Sequence, residues 1–176
     1  NILGNSYTRE EVIRNALLVD EGDPFNEILS NKSINNIKAL NIFKKVDYNS
    51  VDGSSKHNKI LNIEVEEKPT GEIAAGAGVG TTSNQISFGI KEKNYLGRGI
   101  SLDANLTLST DGVKGLLDVT NPNYKNSDNM IFLRIESTNE NHLDDFGYEV
   151  TNYGFKIGTK FEQYDKIFFS PSFSVY

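Results

Sequence analysis

Two kinds of hydrophobic periodicity divide the chain near residue 70. Apolar residues first recur at helical spacing over residues 8–40 and then alternate with polar residues over 43–68. Helical spacing is typical of helices that bury one side, and alternation is typical of strands that bury one face. Residues 2–4 have the character of a strand that enters a turn. We therefore predict a β-α-α-β-β unit, an α+β domain, for residues 1–70.

Local signals predict where the two helices begin. Thr8-Arg9-Glu10-Glu11 has the sequence of a capping box, in which Thr8 accepts a hydrogen bond from a helix amide and Glu11 reaches back. The turn sequence at 20–24 ends this helix, and a second helix is predicted from about Asn26.

After Pro69 and Gly71, which favour a change of chain direction, the sequence predicts a second domain of seven strands at 71–176. They are expected at about residues 72–80, 84–94, 100–110, 113–121, 129–138, 150–162 and 166–176. Most of the runs alternate apolar with polar residues, and about 9–11 residues is the length that a tilted strand needs to cross a bilayer. A water-soluble β-sandwich has the same alternation, so the pattern alone leaves both architectures open.

The composition excludes several classes of site. The 176-residue chain contains no cysteine, so it has no disulfide, no thiolate zinc site and no cysteine nucleophile. Its net charge is −6, and neither part has the basic patch that binds phosphates, so nucleic acid is not a predicted partner. No run approaches the ~18 apolar residues of a transmembrane helix, so any membrane crossing is predicted to use strands. The chain opens without a signal peptide, inside a predicted domain, and is expected to be a fragment.

No group of residues predicts catalysis. His57 and His142 are expected to lie in polar loops, and Ser170 and Ser172 are expected to fill the polar face of an alternating strand. The glycines at 76, 78 and 80 lack the spacing and the following helix of a phosphate-binding loop. We therefore predict neither an enzyme nor a bound cofactor or metal.

Four motifs occur in an order and at a spacing that resemble one family. They are Gly22-Asp23-Pro24-Phe25, Val65-Glu66-Glu67-Lys68-Pro69-Thr70-Gly71, Gly76-x-Gly78 and Lys93-Asn94-Tyr95-Leu96-Gly97-Arg98-Gly99. Together they resemble the BamA family of bacterial outer-membrane assembly insertases, over its last POTRA domain and its first barrel strands. The segment at 120–124 also resembles that family's acidic-Pro-aromatic turn between the fourth and fifth barrel strands, but Asn121 replaces the usual acid and Asn123 the usual aromatic residue.

The resemblance implies a periplasmic POTRA domain at residues 1–70, followed at 71–176 by about seven antiparallel transmembrane strands of an expected sixteen-stranded outer-membrane β-barrel. The implied function is that of part of an insertase, which folds and inserts β-barrel proteins into the outer membrane. The implied partners are outer-membrane lipid, unfolded outer-membrane protein clients and the lipoproteins of the assembly complex. A translocation and assembly module barrel, a two-partner secretion transporter, an organelle insertase and a passive porin are the alternatives.

The first strand after the boundary is predicted to pair weakly. Glycine and alanine at 74–78 bury little area and make few cross-strand contacts, and each glycine loses about 0.5–1 kcal/mol more than alanine on ordering. The resemblance implies that this strand is a lateral gate, at which client strands pair by β-augmentation. The predicted gate residues are Ile73, Ala75, Gly76, Ala77, Gly78 and Val79. The structural alternative is that the glycines only allow the barrel to bend.

Two further sites are predicted. The strand around Val46, Asp47 and Tyr48 is expected to be an open edge of the POTRA sheet, where an extended peptide or a partner lipoprotein docks, although its charges would equally protect the edge. The other site is a periplasmic turn signature, for which a tight turn with Tyr95 near the lipid headgroups is the simpler interpretation. This signature consists of Asn94, Tyr95, Leu96, Gly97, Arg98 and Gly99.

Overall fold

The computed structural model describes residues 1–54, 58–81, 83–143 and 147–176. The chain forms two compact units. The first contains residues 1–70 together with 96–99, and the second contains residues 71–95 together with 100–176. Among the described residues, no helix combines the length and the apolar character that are needed to span a membrane.

A three-stranded sheet and two helices form the first unit. Its elements are β1 (Ile2–Leu3), α1 (Glu10–Arg14), α2 (Glu27–Ala39), β2 (Phe43–Asp52) and β3 (Lys59–Glu67). The central strand is β3, with β1 parallel to it on one side and β2 antiparallel to it on the other. The predicted β-α-α-β-β order is therefore confirmed, and β2 lies at an edge of the sheet.

The core of this unit lies between the helices and one face of the sheet. Ile34 and Ile37 lie one turn apart on α2, and Val46, Ile63 and Val65 occupy inward positions of the strands. The buried apolar residues are Ile13, Ile34, Ile37, Ile42, Phe43, Val46, Ile63 and Val65. Because burial of each large apolar side chain stabilises a fold by about 1.5–3 kcal/mol, this cluster is the main source of stability in the unit.

The two helices begin differently. The start predicted for α2 is correct, since Asn26 Oδ1 accepts a hydrogen bond from the Leu29 N–H at 3.1 Å. The capping box predicted for α1 is wrong. The N-cap residue of α1 is Arg9, while Thr8 is buried and its N–H donates to Glu67 Oε1 at 2.6 Å. A carboxylate that is distant in the sequence thus holds Thr8, and the Arg9 side chain makes no capping hydrogen bond to α1.

An antiparallel sheet forms the second unit. Its strands are β4 (Gly71–Val79), β5 (Asn84–Tyr95), β6 (Ile100–Ser109), β7 (Gly112–Asn121), β8 (Met130–His142), β9 (Tyr148–Tyr164), β10 (Ile167–Phe169) and β11 (Ser172–Val175), with a short 3₁₀ helix (Tyr124–Asn126) after β7. Strands β4 to β9 pair in sequence order, and both β10 and β11 pair with β9. The described residues of this unit form one sheet, which excludes the β-sandwich alternative.

The last of the about seven predicted strands is divided in two. The run expected over 166–176 is interrupted between β10 and β11, so the sheet contains eight strands. Pro171 lies in the interruption and has no backbone N–H to donate to β9. Its carbonyl nevertheless accepts a hydrogen bond from the Thr159 N–H at 3.1 Å, which holds this segment against β9.

The register of the strands places apolar and polar side chains on opposite faces of this sheet. Residues that are direct partners across neighbouring strands share a face, because side chains alternate along each strand. One row of partners on the apolar face consists of Ile73, Ile90, Ala104, Leu117, Ile135, Phe155 and Val175. The adjacent row on the polar face consists of Glu72, Lys91, Asp103, Asp118, Arg134, Lys156 and Ser174. The two-sided character predicted from the alternation is therefore confirmed.

The two faces differ in the surroundings of their side chains: polar side chains bind one another, whereas large apolar side chains are exposed. On the polar face, Arg134 donates to both carboxylate oxygens of Asp118 at 2.7 and 3.0 Å. On the apolar face, Ile73 is 86% exposed, and Phe88 and Ile90 are each about half exposed. Water solvates the polar face well, whereas burial of the apolar face requires an apolar environment.

Candidate functional site

Strand β4 lies at one side of the second unit's sheet. Each of its nine residues pairs with β5, from Gly71 opposite Glu92 to Val79 opposite Asn84. Within the described residues, β5 is the one strand that pairs with β4. Gly80 lies beyond the strand, and its N–H donates to the Ser83 carbonyl at 2.9 Å. The strand therefore ends one residue earlier than the sequence predicted.

The six predicted gate residues divide between the two faces of β4. The apolar face carries Ile73, Ala75, Ala77 and Val79, and the polar face carries Gly76 and Gly78. Ala75 lies opposite Phe88 and Ala77 opposite Ile86, and each of the larger side chains remains 50% exposed. A favourable cross-strand pair contributes about 0.2–1 kcal/mol relative to two alanines. The methyl group of alanine makes too little contact to contribute most of this energy. Strand β4 is therefore held to β5 mainly through backbone hydrogen bonds.

Two of the three glycines of β4, Gly76 and Gly78, lie beneath side chains of β5 that the register places opposite them. A Cβ atom at Gly76 would lie 3.0 Å from Ser87 Oγ, and one at Gly78 would lie 3.3 Å from Gln85 Cγ. Both distances are shorter than ordinary van der Waals contact between carbon-sized atoms. The glycines therefore serve local packing as well as giving the strand a small buried area.

The predicted docking residues at Val46, Asp47 and Tyr48 lie on β2, at the edge of the first unit's sheet. Their side chains have different surroundings. Val46 is buried in the core, and the Tyr48 hydroxyl donates to Asn31 Oδ1 at 2.8 Å. The exposed Asp47 carboxylate accepts a hydrogen bond from the Lys45 ammonium group and forms an ion pair with it. This hydrogen bond raises the pKa of Lys45 above its ordinary value. A partner that binds here would therefore meet the strand backbone and the Asp47 side chain.

The turn signature joins β5 to β6 and contains three residues in the left-handed region. The φ angles are +55° at Leu96, +67° at Gly97 and +65° at Gly99. The Arg9 N–H donates to the Gly97 carbonyl at 2.8 Å, so the turn binds the residue that precedes α1. A Cβ atom at Gly97 would lie 2.1 Å from the Tyr7 carbonyl oxygen. Glycine is therefore required at this position by both the backbone angle and the close approach.

The remaining signature residues lie around this contact. Asn94 is buried, with 2% of its surface exposed, and its N–H donates to Glu92 Oε1 at 2.7 Å. Tyr95 and Leu96 are 45% and 56% exposed, and Arg98 is also exposed. The prediction of a tight turn is correct, but its contacts with Tyr7, Arg9 and Val12 were not predicted from the sequence.

Glu67 is a residue whose role the sequence did not predict, although it belongs to one of the four motifs. Its carboxylate accepts hydrogen bonds from Ser6 Oγ at 2.8 Å, from the Tyr7 N–H at 3.0 and 3.2 Å, and from the Thr8 N–H at 2.6 Å. Partial burial acts to raise the pKa of Glu67, but the hydrogen bonds from Thr8, Ser6 and Tyr7 together outweigh it and hold that pKa below its ordinary value. The charged carboxylate is thus the form that the fold stabilises.

The turn after β7 uses asparagine where the family pattern has an acid. Asn121 Oδ1 accepts a hydrogen bond from the Asn123 N–H at 3.1 Å, and Asn123 Nδ2 donates to the Ser127 carbonyl at 3.3 Å. An amide oxygen accepts this local bond as a carboxylate would, so the turn geometry does not depend on a charge.

Among the described residues, the candidate catalytic side chains of Ser172 and His142 lie far apart. The sequence predicted a loop at His142, but His142 is the last residue of β8 and pairs with Tyr148 of β9. Ser172 lies opposite Gly158, which lies opposite Phe132, ten residues along β8 from His142. At 3.2–3.4 Å per residue this separation is about 33 Å. His57 lies outside the described residues, and in the described ranges no three His, Cys, Asp or Glu side chains lie close enough together to hold a metal ion.

Comparisons with known proteins agree with this architecture. Residues 1–68 match the POTRA family, "Surface antigen variable number repeat". The outer membrane protein assembly factor BamA of Neisseria meningitidis is 30% identical over 124 residues, which cover 69% of this chain and 16% of that protein. BamA of Nitratidesulfovibrio vulgaris is 23% identical over 179 residues, which cover 92% of this chain and 22% of that protein. The chain belongs to the BamA family.

A solved BamA structure has the same fold. The crystal structure of BamA from Haemophilus ducreyi lacking POTRA domains 1–3 superposes with a TM-score of 0.80 at 18% identity, over 98% of this chain and 34% of that one. This BamA-family chain therefore consists of a POTRA domain followed by antiparallel strands of the BamA barrel type, as the four motifs predicted. It spans about a fifth of the length of the two curated relatives.

Proposed function

We propose that this chain is part of an outer-membrane insertase, which folds and inserts β-barrel proteins into the outer membrane. The observation that carries the proposal is the match to relatives named outer membrane protein assembly factor, which extends over 92% of the chain and includes both units. In this proposal the POTRA domain lies in the periplasm and the strands of the second unit lie in the outer membrane.

The exposed apolar face supports the location in lipid. The apolar sides of β4 to β9 form one continuous surface, and its members include Phe88, Leu106, Ile135 and Phe155, each more than 40% exposed. Exposure of such a surface to water costs about 25 cal/mol for each Å². Contact with lipid chains removes this cost, and the hydrogen bonds between strands satisfy the backbone at membrane depth.

We place the entry of client strands at β4. This strand pairs with β5 over its full length mainly through its backbone, because the small side chains at residues 74–78 contribute little to pairing. In a complete barrel the other edge of β4 would meet the last strand, and that seam would share the same small side chains. Opening of the seam would expose backbone N–H and C=O groups at membrane depth, to which a client strand binds by β-augmentation.

The edge of the POTRA sheet is the proposed docking site for a lipoprotein of the assembly complex. Strand β2 offers its outer backbone edge, with the exposed Asp47 beside it, and a shallow groove between β2 and α2 lies next to this edge. The groove is lined by Asn31, Ile34, Asn35, Lys38, Val46, Asp47 and Tyr48. An extended segment would gain backbone hydrogen bonds from the strand and side-chain contacts from the groove.

Reconstitution of the complete protein tests the assembly function. The protein is placed in lipid vesicles, an unfolded outer-membrane β-barrel client is added, and folding is followed by its heat-modifiable mobility on gels. We expect folding to be at least about tenfold faster than in empty vesicles, which corresponds to about 1.4 kcal/mol of barrier lowering. Vesicles that contain an unrelated porin control for disturbance of the bilayer. Folding at the rate of these controls, together with passage of solutes, would instead support a related transporter or a passive porin.

A further inference from the structure

Between β1 and α1, residues 4–9 cross the end of β3 without regular secondary structure. Two contacts with β3 fix this segment. At its start Gly4 approaches the strand so closely that a Cβ atom there would lie 2.0 Å from the Val65 carbonyl oxygen. Further along, Glu67 at the end of β3 receives the hydrogen bonds from Ser6, Tyr7 and Thr8. The next residue, Arg9, donates its N–H to the Gly97 carbonyl of the β5–β6 turn.

We propose that Glu67 is a positioning residue that holds residues 6–9 in the conformation to which the β5–β6 turn binds. A segment without secondary structure has no ladder of its own to fix its amides, and these must find other acceptors. One carboxylate accepts several donors at once, and such charge-assisted bonds are stronger than those between neutral groups. The carboxylate therefore orders the Tyr7 carbonyl and the Arg9 N–H, the two backbone groups that lie against Gly97.

The chain connectivity gives this arrangement a consequence. Because residues 96–99 belong to the first unit, the chain passes between the units at three places: after Thr70, before Leu96 and after Gly99. Glu67 lies three residues before the passage after Thr70. Through residues 6–9 it also holds residues 96–99, which lie between the other two passages. Loss of the carboxylate should release the β5–β6 turn while the POTRA core remains folded, because Glu67 is not one of the core residues.

Hydrogen exchange of the complete protein in detergent micelles tests the proposal. In Glu67→Gln the side chain keeps its shape but loses its charge, and its NH₂ group no longer accepts the amides. We expect amide exchange in residues 5–12 and 96–99 to become about tenfold faster, with a clearly smaller acceleration in α2. The matched control is Glu66→Gln, since the adjacent Glu66 accepts from Lys44 at the exposed surface and has no bond to residues 6–9 among those described. This variant should match the wild type in all three regions.

Gly97→Ala tests whether Glu67 positions residues 6–9 for the turn, and not the turn for Glu67. The variant adds a Cβ atom against the Tyr7 carbonyl and should undock the turn. Exchange should then accelerate at 96–99, while the Tyr7 and Thr8 amides remain protected by Glu67. If Glu67→Gln fails to fold, Ser6→Ala removes one hydrogen bond of the same carboxylate and should show a smaller change in the same two regions. Unchanged exchange at 96–99 in the folded Glu67 or Ser6 variant would overturn the proposal, as would equal acceleration throughout residues 1–70.

Discussion

Two adjacent glutamates at the end of β3 show how strongly the surroundings decide the role of a residue. Glu66 forms an exposed ion pair with Lys44 at 2.7 Å, an interaction that contributes about 0–1 kcal/mol. Glu67 instead binds Thr8, 59 residues away in the sequence. The capping box at Thr8 was predicted from local sequence alone, and it failed because a local pattern does not report a distant acceptor. The backbone angles of the β5–β6 turn were easier to predict, since Gly97 and Gly99 favour positive φ by themselves.

The hydrogen bonds of Glu67 predict an acid-sensitive POTRA domain. Because the pKa of Glu67 is lower in the folded chain than in the unfolded chain, the unfolded chain takes up its proton first as the pH falls. The stabilisation is complete above about pH 4.3, the ordinary glutamate value, and is lost as the pH falls through the lower folded pKa. Unfolding of this domain in the complete protein can be followed with a fluorophore attached to Lys38→Cys. The urea concentration at the midpoint should decrease once the pH is lowered below about 4.3. In Glu67→Gln the midpoint should already be lower at pH 7 and should change less on acidification; an identical acid response in both proteins would contradict this role.

At the scale of elements, prediction succeeded where one periodicity continued over many residues. Helix α2 and strands β5 to β9 have long amphipathic patterns, and each was predicted with bounds close to those observed, except that β8 and β9 extend a few residues further. The last predicted strand is divided because its alternation continues across Pro171, which has no N–H to donate, while both parts still pair with β9. Helix α1 ends at Arg14, earlier than its apolar pattern suggested. The pattern continues because residues as far as Leu17 pack on the core, although the chain is no longer helical there.

The edge strand β2 carries the second prediction at this scale. A photo-reactive amino acid at Asp47, whose side chain is exposed at the strand edge, should cross-link in cells to a lipid-anchored envelope protein that mass spectrometry identifies. The same amino acid at Lys32, which is exposed on α2, is the matched control and should not capture that protein. Absence of a lipoprotein adduct at Asp47, in cells where the protein supports assembly, would count against docking and would favour a protective role for the edge charges.

At the scale of the whole molecule, the division into a POTRA domain and a barrel-type sheet follows from sequence, because the periodicity changes near Pro69 and Gly71. The assignment of residues 96–99 to the first unit does not follow from sequence, since four residues in a turn have no pattern that identifies the residues they contact. The weak side-chain pairing of β4 was predictable from its glycines and alanines. The packing of Ser87 and Gln85 over those glycines was not, because it depends on the register with β5.

The central claim is that client strands enter at the seam next to β4, and a reversible lock on that seam tests it most directly. In the complete protein, Ala77→Cys is paired with a cysteine at the facing position of the last barrel strand; this chain contributes no native cysteine that would interfere. The control lock pairs Ser87→Cys with Thr107→Cys, which are direct partners between β5 and β6. We predict that oxidation of the seam lock slows client folding in vesicles at least about tenfold, that reduction restores it, and that the control lock has no effect. Client folding at the same rate with the seam locked and reduced would contradict the account.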